Sequence, residues 1–226
     1  MRDNLRGDRG ATEAEPHRQA VAVTTLFDDL ISHRPPPANR VRGCAGDMEH
    51  HFTEGAVMLA FAMHLLRTWP GLPCVEIHPD GEHAKRFDFA GWLQKHGFSL
   101  KSPLGKTPFG GTYTSANGQT IVINPKSGCG DVSAEMDGLS IIAECKGGII
   151  NTKHPGQTSR LRRGLCEAIG LLLASPVVPG TRQFAVVPFT NVTKRLAKSM
   201  ASRVHAAGIE IALVDANGNV HEEHGE

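Results

Sequence analysis

The sequence lacks the marks of three classes of protein: disulfide-stapled, zinc-knuckle and membrane-spanning. Its five cysteines are odd in number and form no Cys-x-x-Cys pair, which favours reduced thiols. The longest apolar run, residues 56–66, is interrupted by His64 and falls short of the roughly 20 residues that a spanning helix needs. The polar first ten residues have no apolar signal-peptide centre. We therefore predict a cytoplasmic protein with no membrane partner.

Aromatic residues and, in one region, acidic residues are also scarce. Aromatic side chains make up 5% of the chain, so base stacking is not expected to dominate any binding of single strands. The net charge is only +1, yet the segment 146–208 contains ten Lys and Arg residues against a single acid, Glu167. Such a basic half favours a polyanionic partner, nucleic acid above all. A pair of helices with solvated basic faces would give the same count.

The order of apolar patterns predicts an α/β protein with a mixed sheet that has helices on both faces. We expect an N-terminal arm and helix over residues 1–46, and one main domain over 47–226. Residues 98–111 are expected to form a loop. The predicted helices are 16–33, 47–68, 81–96, 157–174 and 191–207, and the predicted strands are 75–78, 112–115, 119–124, 131–136, 139–146, 183–188 and 209–214. The crossover through the 157–174 helix should join two parallel strands.

The segment 128–148 reads as a β-hairpin around an Asp137-Gly138 turn, a dipeptide that two-residue hairpin turns prefer. In that register Met136 faces Leu139, and Asp131 lies opposite Glu144. Alternation then places Asp131, Glu144 and Lys146 on one face. The other face carries residues able to enter a core, namely Val132, Ala134, Ile141, Ala143 and Cys145.

Two carboxylates on neighbouring strands offer the hard oxygen ligands that suit Mg²⁺, with Mn²⁺ as a substitute. Asp131 and Glu144 are therefore the predicted metal ligands, and the backbone carbonyl of Cys145 could supply a third. Lys146, on the same face, could position or activate an attacking water and stabilise the charge that develops on a phosphoryl group. Metal, water and cation are the minimum set for hydrolysing a phosphodiester.

Glu54 extends the apolar stripe of the predicted 47–68 helix, where an acid costs free energy unless it has a partner or a role. It could equally be a first-turn acid that the helix dipole stabilises. Glu49, His50 and His51 are expected in an exposed, solvated first turn of the same helix.

Asp131, followed after twelve residues by Glu144-Cys145-Lys146, resembles the PD-(D/E)XK nuclease superfamily, which has the fold of restriction endonucleases. That fold implies a helix, a three-strand meander bearing the Asp and the Glu-x-Lys, a crossover helix and a further strand. The order of segments 47–68, 119–146, 157–174 and 183–188 matches, and residues 69–111 would be an insertion. One departure is Gly130, which stands where the superfamily's name has proline.

The resemblance implies catalytic roles for Asp131, Glu144 and Lys146, for Glu54 as an acid from the first helix, and for Gln157 as a glutamine on the crossover helix. Basic side chains would contact phosphates without specifying sequence; the candidates are Lys153, Arg160, Arg163, Lys194, Arg195 and Lys198.

The function predicted from these observations is that of a Mg²⁺-dependent nuclease, in first place a DNA endonuclease. Cutting both strands would require a homodimer or a partner protein, and the resemblance implies a role in phage defence. The alternative is a catalytically inactive nucleic-acid-binding or assembly module on the same fold. A serine hydrolase is not supported, because no Gly-x-Ser-x-Gly is present.

Overall fold

The computed structural model describes residues 27–176 and 178–223, which form a mixed α/β fold with a large mixed sheet. The helices are α1 (Glu54–Thr68), α2 (Gly81–Arg86), α3 (Phe89–Lys95), α4 (Pro155–Ala174) and α5 (Asn191–Ala206), with a short 3-10 turn at Val41–Gly43. The strands are β1 (Ile31–Arg34), β2 (Glu49–Phe52), β3 (Val75–Ile77), β4 (Phe98–Pro103), β5 (Gly111–Ser115), β6 (Thr120–Ile123), β7 (Val132–Met136), β8 (Leu139–Cys145), β9 (Gly148–Ile149), β10 (Thr181–Pro188), β11 (Ile209–Val214) and β12 (Val220–Glu223). None of the helices over these residues is both long and apolar enough to span a membrane.

The large sheet has nine strands in the order β12-β11-β10-β8-β7-β3-β6-β5-β4. Strands β8, β10 and β11 are parallel neighbours, whereas β7 runs antiparallel to β8. The crossover from β8 through α4 to β10 is therefore parallel, as the sequence predicts. A second sheet has the order β1-β2-β9.

Helices pack on both faces of the large sheet. Helix α1 packs against one face, and eleven of its 15 residues are buried because it is apolar almost all round. Helices α4 and α5 pack against the other face, over the inner side chains of β10 and β11. Leu161, Leu165, Ala168, Ile169 and Leu172 form the buried stripe of α4, whereas Leu173 is 60% exposed.

Helix α1 begins seven residues later than predicted. Thr53 caps it, since its Oγ1 accepts a hydrogen bond from the Ala56 amide at 3.3 Å. Residues 49–52 instead form β2 between β1 and β9. The interpretation of Glu49, His50 and His51 as an exposed helical turn is therefore wrong: Glu49 is 2% exposed and binds Arg40 at 2.7 and 3.0 Å.

Three further local predictions are corrected. Residues 31–34 form a strand rather than the end of a helix, and the part of that predicted helix before residue 27 lies outside the described residues. The 81–96 helix is two helices, because Asp88 caps a new one by accepting a hydrogen bond from the Gly91 amide at 2.9 Å. Residues 98–103 form edge strand β4, in which only Phe98 is buried, so the segment shows no alternation of apolar residues.

The predicted three-strand meander over 119–146 is interrupted. Strand β3 lies between β6 and β7, parallel to the first and antiparallel to the second. The segment 69–111 thus supplies a strand to the interior of the sheet. The predicted domain boundary at residue 46 falls between the paired strands β1 and β2, and Phe27 and Leu30 belong to the main core.

Candidate active site

The hairpin has the predicted turn and register up to its last pair. Met136 pairs with Leu139, and the ladder continues to Val132 opposite Ala143. The five side chains assigned to the inner face are all buried in the main core. The predicted pair of Asp131 with Glu144 is not part of the ladder, because the Asp131 amide donates to the Ala143 carbonyl at 2.8 Å. Asp131 and Val132 therefore both lie opposite Ala143, as in a β-bulge.

Gly130 allows the backbone conformation that precedes this bulge. Its φ of +83° lies in the left-handed region, and a Cβ there would be 2.8 Å from the Ala143 carbonyl oxygen. Proline, whose ring fixes φ near −65°, cannot adopt this conformation. The departure from the superfamily's named motif thus has a local structural cause.

Asp131 is held against the backbone of the strand that carries Glu144. Its Oδ2 accepts a hydrogen bond from the Cys145 amide at 2.7 Å. Burial raises the pKa of Asp131 above its usual value, although this hydrogen bond and the charge of Lys146 act in the opposite direction. Since the amide and carbonyl of one strand residue point to the same side, the Cys145 carbonyl faces the side of Asp131.

Among the carboxyl groups of the site, Glu144 has the most strongly shifted pKa. Partial burial, followed by the negative charge of Asp131, raises the pKa of Glu144 to about 7. The positive charge of Lys146 lowers it, and the charges of Glu54 and Glu167 raise it further. Glu144 and Asp131 are therefore crowded carboxylates that a cation would stabilise in their ionised forms.

Lys146 is a partly buried cation between two acids. Its Nζ lies 3.0 Å from Glu54 Oε1 and 3.6 Å from Glu167 Oε1, and its side chain is 16% exposed. Burial lowers the pKa of Lys146, but the charge and hydrogen bond of Glu54 raise it well above its usual value. Lys146 is therefore protonated at neutral pH and suited to donate hydrogen bonds rather than to accept a proton from water.

Glu54, in the first turn of α1, reaches the site. Its Oε1 also lies 3.4 Å from His83 Nε2. Burial raises the pKa of Glu54, but His83 and Lys146 together bring it below its usual value. The pKa of His83 is raised in turn: burial lowers it, but Glu54, together with the charges of Asp80 and Asp131, outweighs that effect. Glu54 is thus a first-turn acid of α1 that also has two cationic partners, Lys146 and His83.

Gly147 allows α1 and β8 to approach each other. A Cβ at this position would lie 2.5 Å from the Glu54 amide nitrogen and 2.5 Å from the Phe52 carbonyl oxygen. Because these are backbone atoms, no side-chain rotation would relieve the contact. The glycine directly after Lys146 therefore sets the distance between the start of α1 and the end of β8.

Two cavities adjoin these side chains. One, of about 430 Å³, is lined by residues that include Glu54, Gln157 and Arg160. The other, of about 480 Å³, is lined by Glu54, Lys146, Gly147, Arg160, Arg163, Gly164 and Glu167. Gln157, Arg160 and Arg163 therefore line cavities that Glu54 also lines, whereas Asp131 and Glu144 line neither of them.

The remaining predicted phosphate contacts do not line these two cavities. Lys153 is exposed in the turn before α4. On α5, Lys194 lies over the Phe189 ring at 5.2 Å, and Arg195 Nε donates to the Asn191 carbonyl at 3.1 Å. Lys198 is exposed on the same helix. Their proposed role would require a nucleic acid that extends beyond the carboxylate cluster.

Sequence reasoning missed several residues of the site. His83 and Arg86 lie in the segment taken for an insertion, and Arg34 in the segment taken for an arm. Glu167 had one usable signal, because it is the single acid of the basic half. His83 had none, since its contact with Glu54 depends on where α2 packs.

The carboxylates of the site can be set against the ligand requirements of a metal ion. Within residues 27–176 and 178–223, no group of three or more His, Cys, Asp or Glu side chains is arranged to hold a metal. Mg²⁺ requires less than that, since it is commonly held by one or two carboxylates and keeps several waters. Asp131 and Glu144, with the Cys145 carbonyl, fit that requirement. Glu54 is engaged by Lys146 and His83.

Comparison with known proteins gives no relative from which to assign the site. A scan against protein-family models, a search of curated proteins and a search of solved structures each returned no match.

Proposed function

We propose that this chain is a Mg²⁺-dependent nuclease that hydrolyses phosphodiester bonds, acting in first place as a DNA endonuclease. One observation carries the proposal: Glu54, Asp131, Glu144 and Lys146 converge from three separate segments at one end of β8. Lys146 is ion-paired to a residue 92 positions away. A structural ion pair alone does not require two further carboxylates with raised pKa values beside it.

The proposed roles follow from the environment of each group. Asp131, Glu144 and the Cys145 carbonyl would hold Mg²⁺, which when bound supplies Lewis acidity and lowers the pKa of a coordinated water. Lys146, protonated and aimed into the cavity with Arg163, would donate hydrogen bonds to phosphoryl oxygens as charge develops on them. Glu54 holds the Lys146 ammonium in place.

The element order supports a restriction-endonuclease-like fold as the finer assignment. Helix α1, strands β6 to β8, crossover helix α4 and parallel strand β10 follow in the order that the resemblance implies. The central position of β3 is a variation on that order. A homodimer or partner protein for cutting both strands, and Mn²⁺ as a substitute metal, belong to the same proposal.

The test is a cleavage assay on double-stranded, single-stranded and branched DNA and RNA, with Mg²⁺, with Mn²⁺ and with EDTA. The proposal predicts metal-dependent cleavage that Asp131→Ala and Lys146→Ala each reduce by at least 100-fold, on the order expected when a group that stabilises the transition state is removed. Glu135→Ala and Lys101→Ala are matched controls, since both side chains are exposed and lie outside the site. Nucleic-acid binding without cleavage by the wild type would instead favour the inactive module.

A further inference from the structure

The cavity of about 430 Å³ beside Glu54 contains a concentration of arginines, of which only Arg160 also lines the cavity that contains Lys146. Arg34, Arg86 and Arg160 come from β1, α2 and α4, and all three line it together with Arg40, His51 and Gln157. We call this cavity the arginine pocket. It brings together side chains from segments of the chain that are more than 50 residues apart.

The charge of the arginine pocket is only partly compensated from within the protein. Arg40 is neutralised by the buried Glu49, and Glu82 on the pocket wall is paired with Lys85 at 2.6 Å. Glu54 is engaged by Lys146 and His83. Over the residues that the structure describes, Arg34, Arg86 and Arg160 are exposed and form no ion pair. Three guanidinium groups therefore face one cavity; the charge of Arg86 lowers the pKa values of the nearby Asp80 and Glu82, but none of the three forms an ion pair with a described carboxylate.

The position of the arginine pocket connects it to the candidate active site. It shares Glu54, Gly147 and Arg160 with the cavity that contains Lys146. Further lining residues come from β2, β9 and the start of α1, so the small sheet forms part of its wall. The N-terminus of the 15-residue α1 adds positive potential to these walls.

The chemistry of these walls matches a phosphate monoester better than a phosphodiester. A diester in a continuous strand carries one negative charge, whereas a terminal phosphate carries between one and a half and two at neutral pH. Arginine forks bind such a group with paired hydrogen bonds. We infer that the arginine pocket binds the phosphomonoester at the end of a nucleic-acid strand that is cut at the neighbouring site. The inference deepens the proposed function and rests on it.

Binding of end-labelled oligonucleotides to the full-length Asp131→Ala protein tests this inference. Strands with a 5′-phosphate, a 3′-phosphate or hydroxyl ends are compared with a circle of the same sequence. One of the phosphorylated strands should bind about tenfold more tightly than the hydroxyl-ended strand, and Arg34→Ala or Arg86→Ala should each remove most of that preference. Arg162→Ala, an exposed arginine of α4 that lines neither cavity, should keep it.

Equal affinity for phosphorylated, hydroxyl-ended and circular substrates would overturn the inference, and this comparison needs no pocket variant to fold. A preference for a terminal phosphate that survives both Arg34→Ala and Arg86→Ala would overturn it as well. The outcome is separable from that of the nuclease proposal. Metal-dependent cleavage without any end preference would support the nuclease proposal and contradict phosphate binding in the arginine pocket. An end preference without cleavage by the wild type would support phosphate binding and contradict the nuclease proposal.

Discussion

Single residues at this site are defined by the charges around them rather than by their own type. Glu144 and Glu54 are both glutamates near Lys146, yet the pKa of Glu144 is raised to about 7 and that of Glu54 is lowered. The difference arises because Glu54 has two cationic partners, while Glu144 lies partly buried beside the carboxylate of Asp131. The site therefore combines an ion pair, Lys146 with Glu54, with a pair of neighbouring carboxylates, Asp131 and Glu144, that a further cation would stabilise.

The raised pKa of Glu144 predicts an unusual dependence of stability on pH. Below pH 4.5 its carboxyl is protonated in the folded and unfolded chains alike, and it costs nothing. Between pH 4.5 and about 7 the carboxyl is ionised in the unfolded chain but still largely protonated in the folded chain, so the free energy of unfolding falls in the absence of metal and then stays constant at higher pH. Glu144→Gln should therefore raise the melting temperature at pH 8 in EDTA by about 2–4 °C, or about 1 kcal/mol after allowance for solvent screening of a half-buried group.

The same substitution should have little effect at pH 4.5, where the wild-type side chain is mostly neutral. Glu135→Gln, on the same face of the hairpin but exposed, is the control. Thermal unfolding at both pH values measures the difference. An equal change in melting temperature at pH 4.5 and pH 8 would contradict the charge crowding described for Glu144.

At the scale of elements, the site depends on how closely β8 approaches the start of α1. Gly147→Ala would place a Cβ 2.5 Å from backbone atoms of Phe52 and Glu54, so the two elements must separate. We expect a loss of about 1–3 kcal/mol in the free energy of unfolding, as for overpacking elsewhere. Nuclease activity should fall in addition, because Lys146 and Glu54 would move apart. Chemical denaturation and a cleavage assay measure the two effects.

Gly148→Ala provides the matched control for that experiment. Its Cβ would lie 2.5 Å from Cδ2 of Leu161, which is the end of a side chain and can rotate away. The variant should therefore lose less stability than Gly147→Ala. A Gly147→Ala protein that is as stable and as active as Gly148→Ala would show that the spacing of these elements does not matter.

The elements that could be predicted from the sequence are those whose own periodicity is strong. Strands β7, β8, β10 and β11 and helices α4 and α5 alternate or repeat clearly, and the Asp137-Gly138 turn set the register. Edge strand β4 has one buried residue and gave no pattern. Strand β2 could not be predicted because Glu49 is buried in an ion pair with Arg40, and no local sequence pattern indicates that contact.

For the molecule as a whole, contacts within one hairpin could be predicted from the sequence, whereas contacts between segments far apart in the chain could not. The convergence of Asp131 with the strand of Glu144 and Lys146 follows from one hairpin, so the sequence sufficed to propose it. The positions of His83, Arg34 and Arg86 beside Glu54, by contrast, depend on how α2 and the small sheet pack, which the sequence pattern does not indicate. The insertion of β3 into the middle of the sheet likewise requires pairing over more than 40 residues, from Val75 to Ile121.

A bound divalent cation should stabilise the whole fold, because it would relieve the repulsion between Asp131 and Glu144. Saturating Mg²⁺ should raise the melting temperature of the wild type more at pH 8 than at pH 6, where Glu144 is largely protonated and competes with the metal. At 100 times the dissociation constant the stabilisation would be about 2.7 kcal/mol. Asp131→Asn should lose the effect, and no shift with Mg²⁺ in the wild type at either pH would count against the metal site.

The most direct test of the central claim is the rate of phosphodiester cleavage by the wild type and by Lys146→Ala in the same Mg²⁺ buffer. A Mg²⁺-dependent nuclease should cleave at least one of the nucleic-acid substrates, EDTA should abolish cleavage, and Lys146→Ala should lower the rate at least 100-fold while nucleic-acid binding is kept. Cleavage by Lys146→Ala at the wild-type rate, or cleavage that persists in EDTA, would contradict it.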